Sequence, residues 1–371
     1  MDDPVSLPAL AALDDDRWRR LAAQSPSTPA PTADPAPPTL PETLAAAADA
    51  PLPRYLVERK ARPVAPTVVR DAADVAAQQK LDAFRESMTG TYQTVDGKEL
   101  KVATPFQMDD GYPNQHAYLD PTKSDHLRQR NVAAQRAQLD PEAYGRVVCG
   151  RGTPAEIHAL TQALLDAQPP GSVATAAQLR QLMFDNCVGV DCAGYVQQAY
   201  LSVTGQTRAQ AGLGKIVNES LSNLGQRGFA RVGAVGDLRP GDIVVLAAPA
   251  GDRVGHRTIV YEQRIATASD MRSLLASQHP MQIAFAIGGP LHVIEVDSSW
   301  GCGVVVGRHV EGRAERGGVA REAWLYNEST RQWASWSPVD QTFWVSDGPY
   351  GHPLDGFFRE GGLGARDGAA P

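Results

Sequence analysis

A chain of 371 residues, 43% of them apolar, is long enough to bury one or two sizeable cores, although much of the apolar fraction is alanine gathered near the N-terminus. Its 35 Lys and Arg residues against 42 Asp and Glu give a formal net charge of −7. No basic block is long enough to track a phosphate backbone, so nucleic acid is not an expected partner. No run approaches the roughly 18 apolar residues that span a bilayer.

Met1-Asp2-Asp3-Pro4 is acidic and lacks the basic flank and apolar core of a secretory signal, so synthesis in the cytoplasm is expected, without export by the general pathway. The four cysteines, Cys149, Cys187, Cys192 and Cys302, are then expected as reduced thiols. A short helix is expected from Asp14 to Ala23. From Ser25 to about Pro66 proline and alanine dominate. Proline removes backbone donors and alanine offers little surface to offset ordering entropy, so residues 1–70 are expected to be a disordered Pro/Ala-rich segment.

Asp71 to Met88 has helical spacing, with Val75, Leu81 and Phe84 among alanines and charges. Thr89 to Tyr144 is polar and shows no sustained period, so residues 71–145 read as a helical and irregular lead-in to a main domain over 146–371. Thr153-Pro154-Ala155-Glu156 forms a capping box with proline at the first helical position, and a helix starts there. Ile157, Leu160, Leu164 and Leu165 fall on one face before Pro169-Pro170-Gly171 ends it. Further helices are expected from Ala174 to Met183 and from about Asp191 to just before Gly205. Beyond Gly236 short apolar runs between turn residues read as strands: Ile243–Leu246, Thr258–Tyr261, Gln282–Ile287, His292–Val296, Val304–Gly307 and Ala323–Tyr326. Helices followed by antiparallel strands give an α+β domain, a helical layer packed on a curved antiparallel sheet.

The chemistry gathers around Asp191-Cys192-Ala193-Gly194-Tyr195-Val196, at a helix start. Unpaired amides and the positive dipole end there favour a thiolate, lowering a thiol from its free pKa of roughly 8.5. Small residues after Cys192 let a carbonyl approach, and local amides are placed to hold an oxyanion. Cys187 lies five residues upstream, but no second Cys or His pair follows at zinc spacing, so neither metal nor cofactor is expected. In Gly255-His256-Arg257-Thr258-Ile259-Val260-Tyr261 the histidine opens a strand and shares a face with Thr258 and Val260. An imidazole there is a candidate base for the thiol. In His292-Val293-Ile294-Glu295-Val296-Asp297, Glu295 or Asp297 is a candidate acceptor to orient that base, with Glu295 favoured because Asp297 begins an apparent turn.

Together and in this order, over about Thr153 to Val306, these motifs resemble the NlpC-type cysteine peptidases, papain-like bacterial enzymes that cut peptidoglycan stem peptides. Asp191-Cys192-Ala193-Gly194-Tyr195-Val196 is similar to the family's nucleophile motif, with Ala193 where serine is usual. Leu238-Arg239-Pro240-Gly241-Asp242 is similar to the turn that opens its first core strand, and Gly255 to Tyr261 stands where the family carries its histidine base. The resemblance implies a papain-like fold, Cys192 as nucleophile, His256 as base and Glu295 as third residue, although an insertion from about Arg264 to Pro290 separates the last two. It also implies peptidoglycan stem peptide as substrate.

Without a signal segment such an enzyme would reach a cell wall as an antibacterial effector carried by a specialised secretion system or phage-like particle, with an immunity protein or secretion-machine component as possible partner. Two alternatives stand beside it. A transglutaminase-like acyl transferase would use His292 as base, and a non-catalytic structural or cargo module of a phage-tail-like particle would use none of these residues chemically. Glu311 to Pro371 lies outside the resemblance and is expected to add strands or shape a groove.

Overall fold

The computed structural model describes residues 71–106, 121–211, 228–247, 255–267, 270, 290–300, 317–337, 342–345 and 353–360. The expected helix at Asp14, the Pro/Ala-rich segment and the expected strands at Gln282 and Val304 lie outside the described residues. The chain divides into two units, Met1–Arg59 and Lys60–Pro371, and all that follows concerns the second.

Among the described residues six α-helices precede the main sheet: α1 (Ala72–Ser87), α2 (Pro121–Arg136), α3 (Pro141–Val148), α4 (Pro154–Asp166), α5 (Ala176–Asp185) and α6 (Cys192–Thr204). Their ends follow from local chemistry. Thr153 and Thr175 each close a capping box, with Glu156 and Gln178. Asp71, Asp140 and Asp191 accept from first-turn amides of α1, α3 and α6. Gly205 ends α6 in the left-handed conformation at φ +69°, where a β-carbon would be strained.

Between α1 and α2 lies a hairpin, β1 (Thr89–Gln93) and β2 (Glu99–Ala103). The remaining strands are β3 (Phe229–Arg231), β4 (Ile243–Leu246), β5 (His256–Ile265), β6 (Leu291–Trp300), β7 (Gly318–Asn327), β8 (Gln332–Ser337), β9 (Thr342–Val345) and β10 (Leu354–Glu360). They form one antiparallel sheet in the order β3-β10-β4-β5-β6-β7-β8-β9. An α+β architecture with an antiparallel sheet is therefore present.

The sheet carries a core on each face. On one, Ile243 and Ile259 pack with Tyr195, Val196 and Ala199 of α6 and with Leu160 and Leu164 of α4. On the other, Val244, Leu246, Val260 and Val296 pack with Trp324, Tyr326 and Trp333. Period-two alternation thus assigns the β5 residues from His256 to Val260, before the register shift, to one side or the other.

Within residues 71–145, expected as a helical and irregular lead-in, the expected helix is α1, and the described residues beyond it form the β1–β2 hairpin, α2 and the start of α3. Leu81 and Phe84 of α1, Tyr92, Leu100 and Val102 of the hairpin, and Ala133 of α2 belong to the same buried cluster as α4 and α6. The hairpin strands alternate buried and exposed residues over only five positions each, too short a run to show as a period among polar neighbours. The last strand, β10, enters between β3 and β4, pinned by Arg359, whose Nε and Nη2 donate to Asp242 at 2.8 and 2.7 Å. Asp242 also accepts from the Arg239 amide at 2.8 Å, so the Leu238–Asp242 turn is structural.

A second buried pair crosses the helix side of the sheet. Arg321 of β7 donates to both oxygens of the fully buried Asp297 at 2.7 and 2.8 Å, lies over the Tyr261 ring, and reaches Asp82 of α1 at 3.0 Å. Asp297→Asn leaves that guanidinium half-paired in the core. It is expected to lower unfolding free energy by about 3 kcal/mol, the low end for a broken buried pair because Asp82 remains. Urea denaturation followed by circular dichroism reads this directly.

Candidate active site

Cys192 is the first residue of α6, and three contacts fix where it emerges. The Val190 amide donates to the Pro105 carbonyl at 3.1 Å, the Ser299 hydroxyl donates to the Val190 carbonyl at 2.7 Å, and the Asp191 amide donates to the Gly150 carbonyl at 3.0 Å. The Asp191 carboxylate then caps the helix by accepting from the Gly194 amide. A β-carbon on residue 194 would sit 2.0 Å from the Gly150 carbonyl oxygen and 3.0 Å from Arg151 Cδ, so glycine is what admits the 150–151 segment across the helix start.

The Cys192 thiol, half-buried, accepts a hydrogen bond from the backbone amide of Arg257. That amide is available because pairing of β5 with β6 begins only at Ile259↔Asp297. The thiol therefore occupies the point where the two strands part. Burial, and then the Asp191 charge, push it up to about 11, while the Arg257 amide and the charges of Arg257 and Arg151 pull the other way. Burial likewise raises Asp191, opposed by Arg151 and the Gly194 amide.

His256 stands next to this point along the chain, and its Cα is two bonds, about 2.4 Å, from the amide nitrogen that meets the thiol. Its ring, however, lies on the other face of the sheet. It stacks on Trp300 with centroids 4.3 Å apart, and Nε2 is 3.2 Å from Ser298 Oγ. Ser298 Oγ spends its single proton on the Arg257 carbonyl at 2.6 Å, so it accepts from a protonated Nε2. Alternation places Arg257, not His256, with Ile259 on the side of α6. The structure thus brings the histidine backbone to the Cys192 thiol and turns its ring aside.

The other expected residues lie elsewhere. His256 meets Trp300, five residues beyond Glu295, roughly 17 Å along the strand. Glu295 is paired across from Glu262, and burial followed by that like charge raises its carboxyl. The structure does not bring Glu295 to the His256 ring: the antiparallel register, with Ile259 opposite Asp297 and Glu262 opposite Glu295, sets it well along β5 from His256. Asp297 faces α6 and is committed to Arg321. His292 is eight residues from Trp300, roughly 27 Å, and sits between Gln263 Nε2 at 2.7 Å and Glu328 Oε2 at 3.3 Å, which removes it from the neighbourhood of the thiol.

Three residues that the sequence reading did not single out do converge here: Ser298 on the His256 ring, and Arg151 and Arg257 around Cys192. Ser298 was reachable by stepping two positions from Trp300 along β6. Arg151 was not, since only folding brings it to residue 191. Among the described residues no group of three or more His, Cys, Asp or Glu side chains is placed to hold a metal ion.

Compared with known proteins, the chain matches no family model, no curated protein and no solved structure. Among the described residues no helix is long and apolar enough to cross a membrane.

Proposed function

We propose that the chain is a thiol-dependent amide hydrolase of papain-like, NlpC-type architecture that cuts a peptidoglycan stem peptide. The observation that carries this reading is the Cys192 thiol at the first position of a capped helix, bonded to the amide that follows His256. In the reaction the imidazole leaves the Trp300 stack by rotation about its side-chain bonds and takes the thiol proton. The thiolate sulfur adds to the carbonyl carbon, and first-turn amides other than that of Gly194, which Asp191 occupies, hold the oxyanion. Collapse to a thioester expels the amine, which takes the proton from the imidazolium. Water, deprotonated by the same ring, then releases the acid and restores the thiol.

The parked ring favours a second reading, in which the fold is a structural or cargo module and Cys192 is inert. Digestion of purified peptidoglycan followed by mass spectrometry of muropeptides separates the two. The hydrolase yields fragments carrying a new amine and a new carboxylate and identifies the bond. A digest identical to the protein-free control overturns the enzyme reading. If peptidoglycan is the substrate, the chain directed to a bacterial periplasm lyses the cell, and the same chain retained in the cytoplasm does not.

A further inference from the structure

Two arginines crowd the thiol with donors left over. Arg151 is only 8% exposed, and its Nε and Nη2 both go to Asp191 Oδ2, at 3.2 and 3.1 Å. Its Nη1 is buried and has no hydrogen-bond partner among the described residues, and the same is true of Arg257 Nη1. Buried donors are normally satisfied, so an unpaired buried nitrogen on each of two arginines whose charges both act on Cys192 leaves capacity for an acceptor there. The charges of Arg151 and Arg257 act against each other, and both favour an anion at Cys192.

The charge count points the same way. Two guanidinium groups and an Asp191 carboxylate that accepts from Arg151 and the Gly194 amide leave a surplus of one positive charge while the thiol is protonated. The missing acceptor is thus an anion with a single charge. A flat two-oxygen acceptor suits guanidinium forks better than a tetrahedral dianion, which would overshoot the count. Position suggests its source: the Arg257 amide meets the thiol, alternation sends its side chain to the α6 side with Ile259, and its charge acts on Cys192, so an anion bound there lies on the same substrate as the attacked carbonyl.

Resting on the hydrolase reading, we propose that Arg151 and Arg257 form a carboxylate subsite beside Cys192, so that the amide cut by this enzyme neighbours a free carboxylate on the same substrate.

Alkylation of Cys192, followed on its peptide by mass spectrometry, tests the subsite without needing turnover. Iodoacetate and iodoacetamide consume the same thiolate, so the ratio of their rates cancels the ionised fraction and reports only attraction of the carboxylate. In the full chain iodoacetate is expected to be faster by about tenfold, as for a charge-steered encounter. Arg257→Gln should bring the ratio to unity or below, and Arg257→Lys should restore part of it. A ratio at or below unity in the unmodified protein, or one unchanged in Arg257→Gln, overturns the subsite.

A second arm fixes the source of the carboxylate. A stem peptide with free carboxylates should be cut with a lower KM than its carboxamide counterpart, and Arg257→Gln should erase that difference. Equal KM values alongside an iodoacetate preference would assign the site to a free anion and overturn the substrate claim. Iodoacetate preference without any turnover rejects the hydrolase reading alone, whereas turnover without preference rejects the subsite alone.

Discussion

Cys192→Ala is expected to reduce stem-peptide digestion to the protein-free background, a loss on the order of 10⁶-fold if chemistry limits the rate. In the proposed reaction the sulfur supplies the covalent intermediate, and the neighbouring Ser298 and Ser299 hydroxyls do not replace it, since they are committed to the Arg257 and Val190 carbonyls. The variant should remain folded. Asp191 caps the helix through its own side chain, and the Ser299 and Asp191 bonds that position the segment do not involve the thiol. An unchanged denaturation midpoint with turnover abolished is the expected pair of results. Retained turnover would remove Cys192 from the reaction.

His256→Ala should lower turnover by about 10²- to 10⁴-fold, the usual contribution of a positioned acid-base group. His292→Ala and Glu295→Gln should leave it near the unmodified level, because both residues stand far along β6 from the thiol. Part of any loss in His256→Ala is structural, since the Trp300 stack and the Ser298 bond go with the ring. Thermal melts of the three variants calibrate that share. Activity lost in His292→Ala and kept in His256→Ala would favour the acyl-transferase alternative.

Helix boundaries were legible where a single local motif sets them. Thr153 with Glu156, Asp191 before Cys192, and Gly205 after Thr204 each act within one turn, so the sequence alone locates α4 and α6 to within a residue or two. The apolar runs at Ile243, Thr258, His292 and Ala323 became β4 to β7 for a similar reason. The five-residue hairpin strands and β10 were not legible. Their burial depends on partners more than 50 or 100 positions away, such as Val102 against the α4 and α6 core or Phe358 against Ile243.

At the site the alternation of β5 was readable, and it already placed His256 with Val260 rather than with Ile259. What it did not reveal is which face α6 would cover. That depends on how the Val190 carbonyl and the Asp191 amide are anchored by Ser299 and Gly150, contacts across 109 and 41 positions. Glu295 stands away from His256 for the same kind of reason: strand pairing, which sets Ile259 opposite Asp297, not spacing along the chain, decides what stands opposite a given residue.

The proposed hydrolase requires Cys192 and His256 to work as a pair although the ring is parked on Trp300. The pH dependence of Cys192 alkylation by neutral iodoacetamide, compared between the unmodified chain and His256→Ala, tests this most directly. With the ring unable to reach it, the thiol keeps the value of about 11 imposed by burial and Asp191, so reactivity in the variant should climb only in strong base. In the unmodified chain an imidazolium partner should bring the thiolate out below the free-thiol value of roughly 8.5. Two coincident curves, both rising only in strong base, would contradict the pairing.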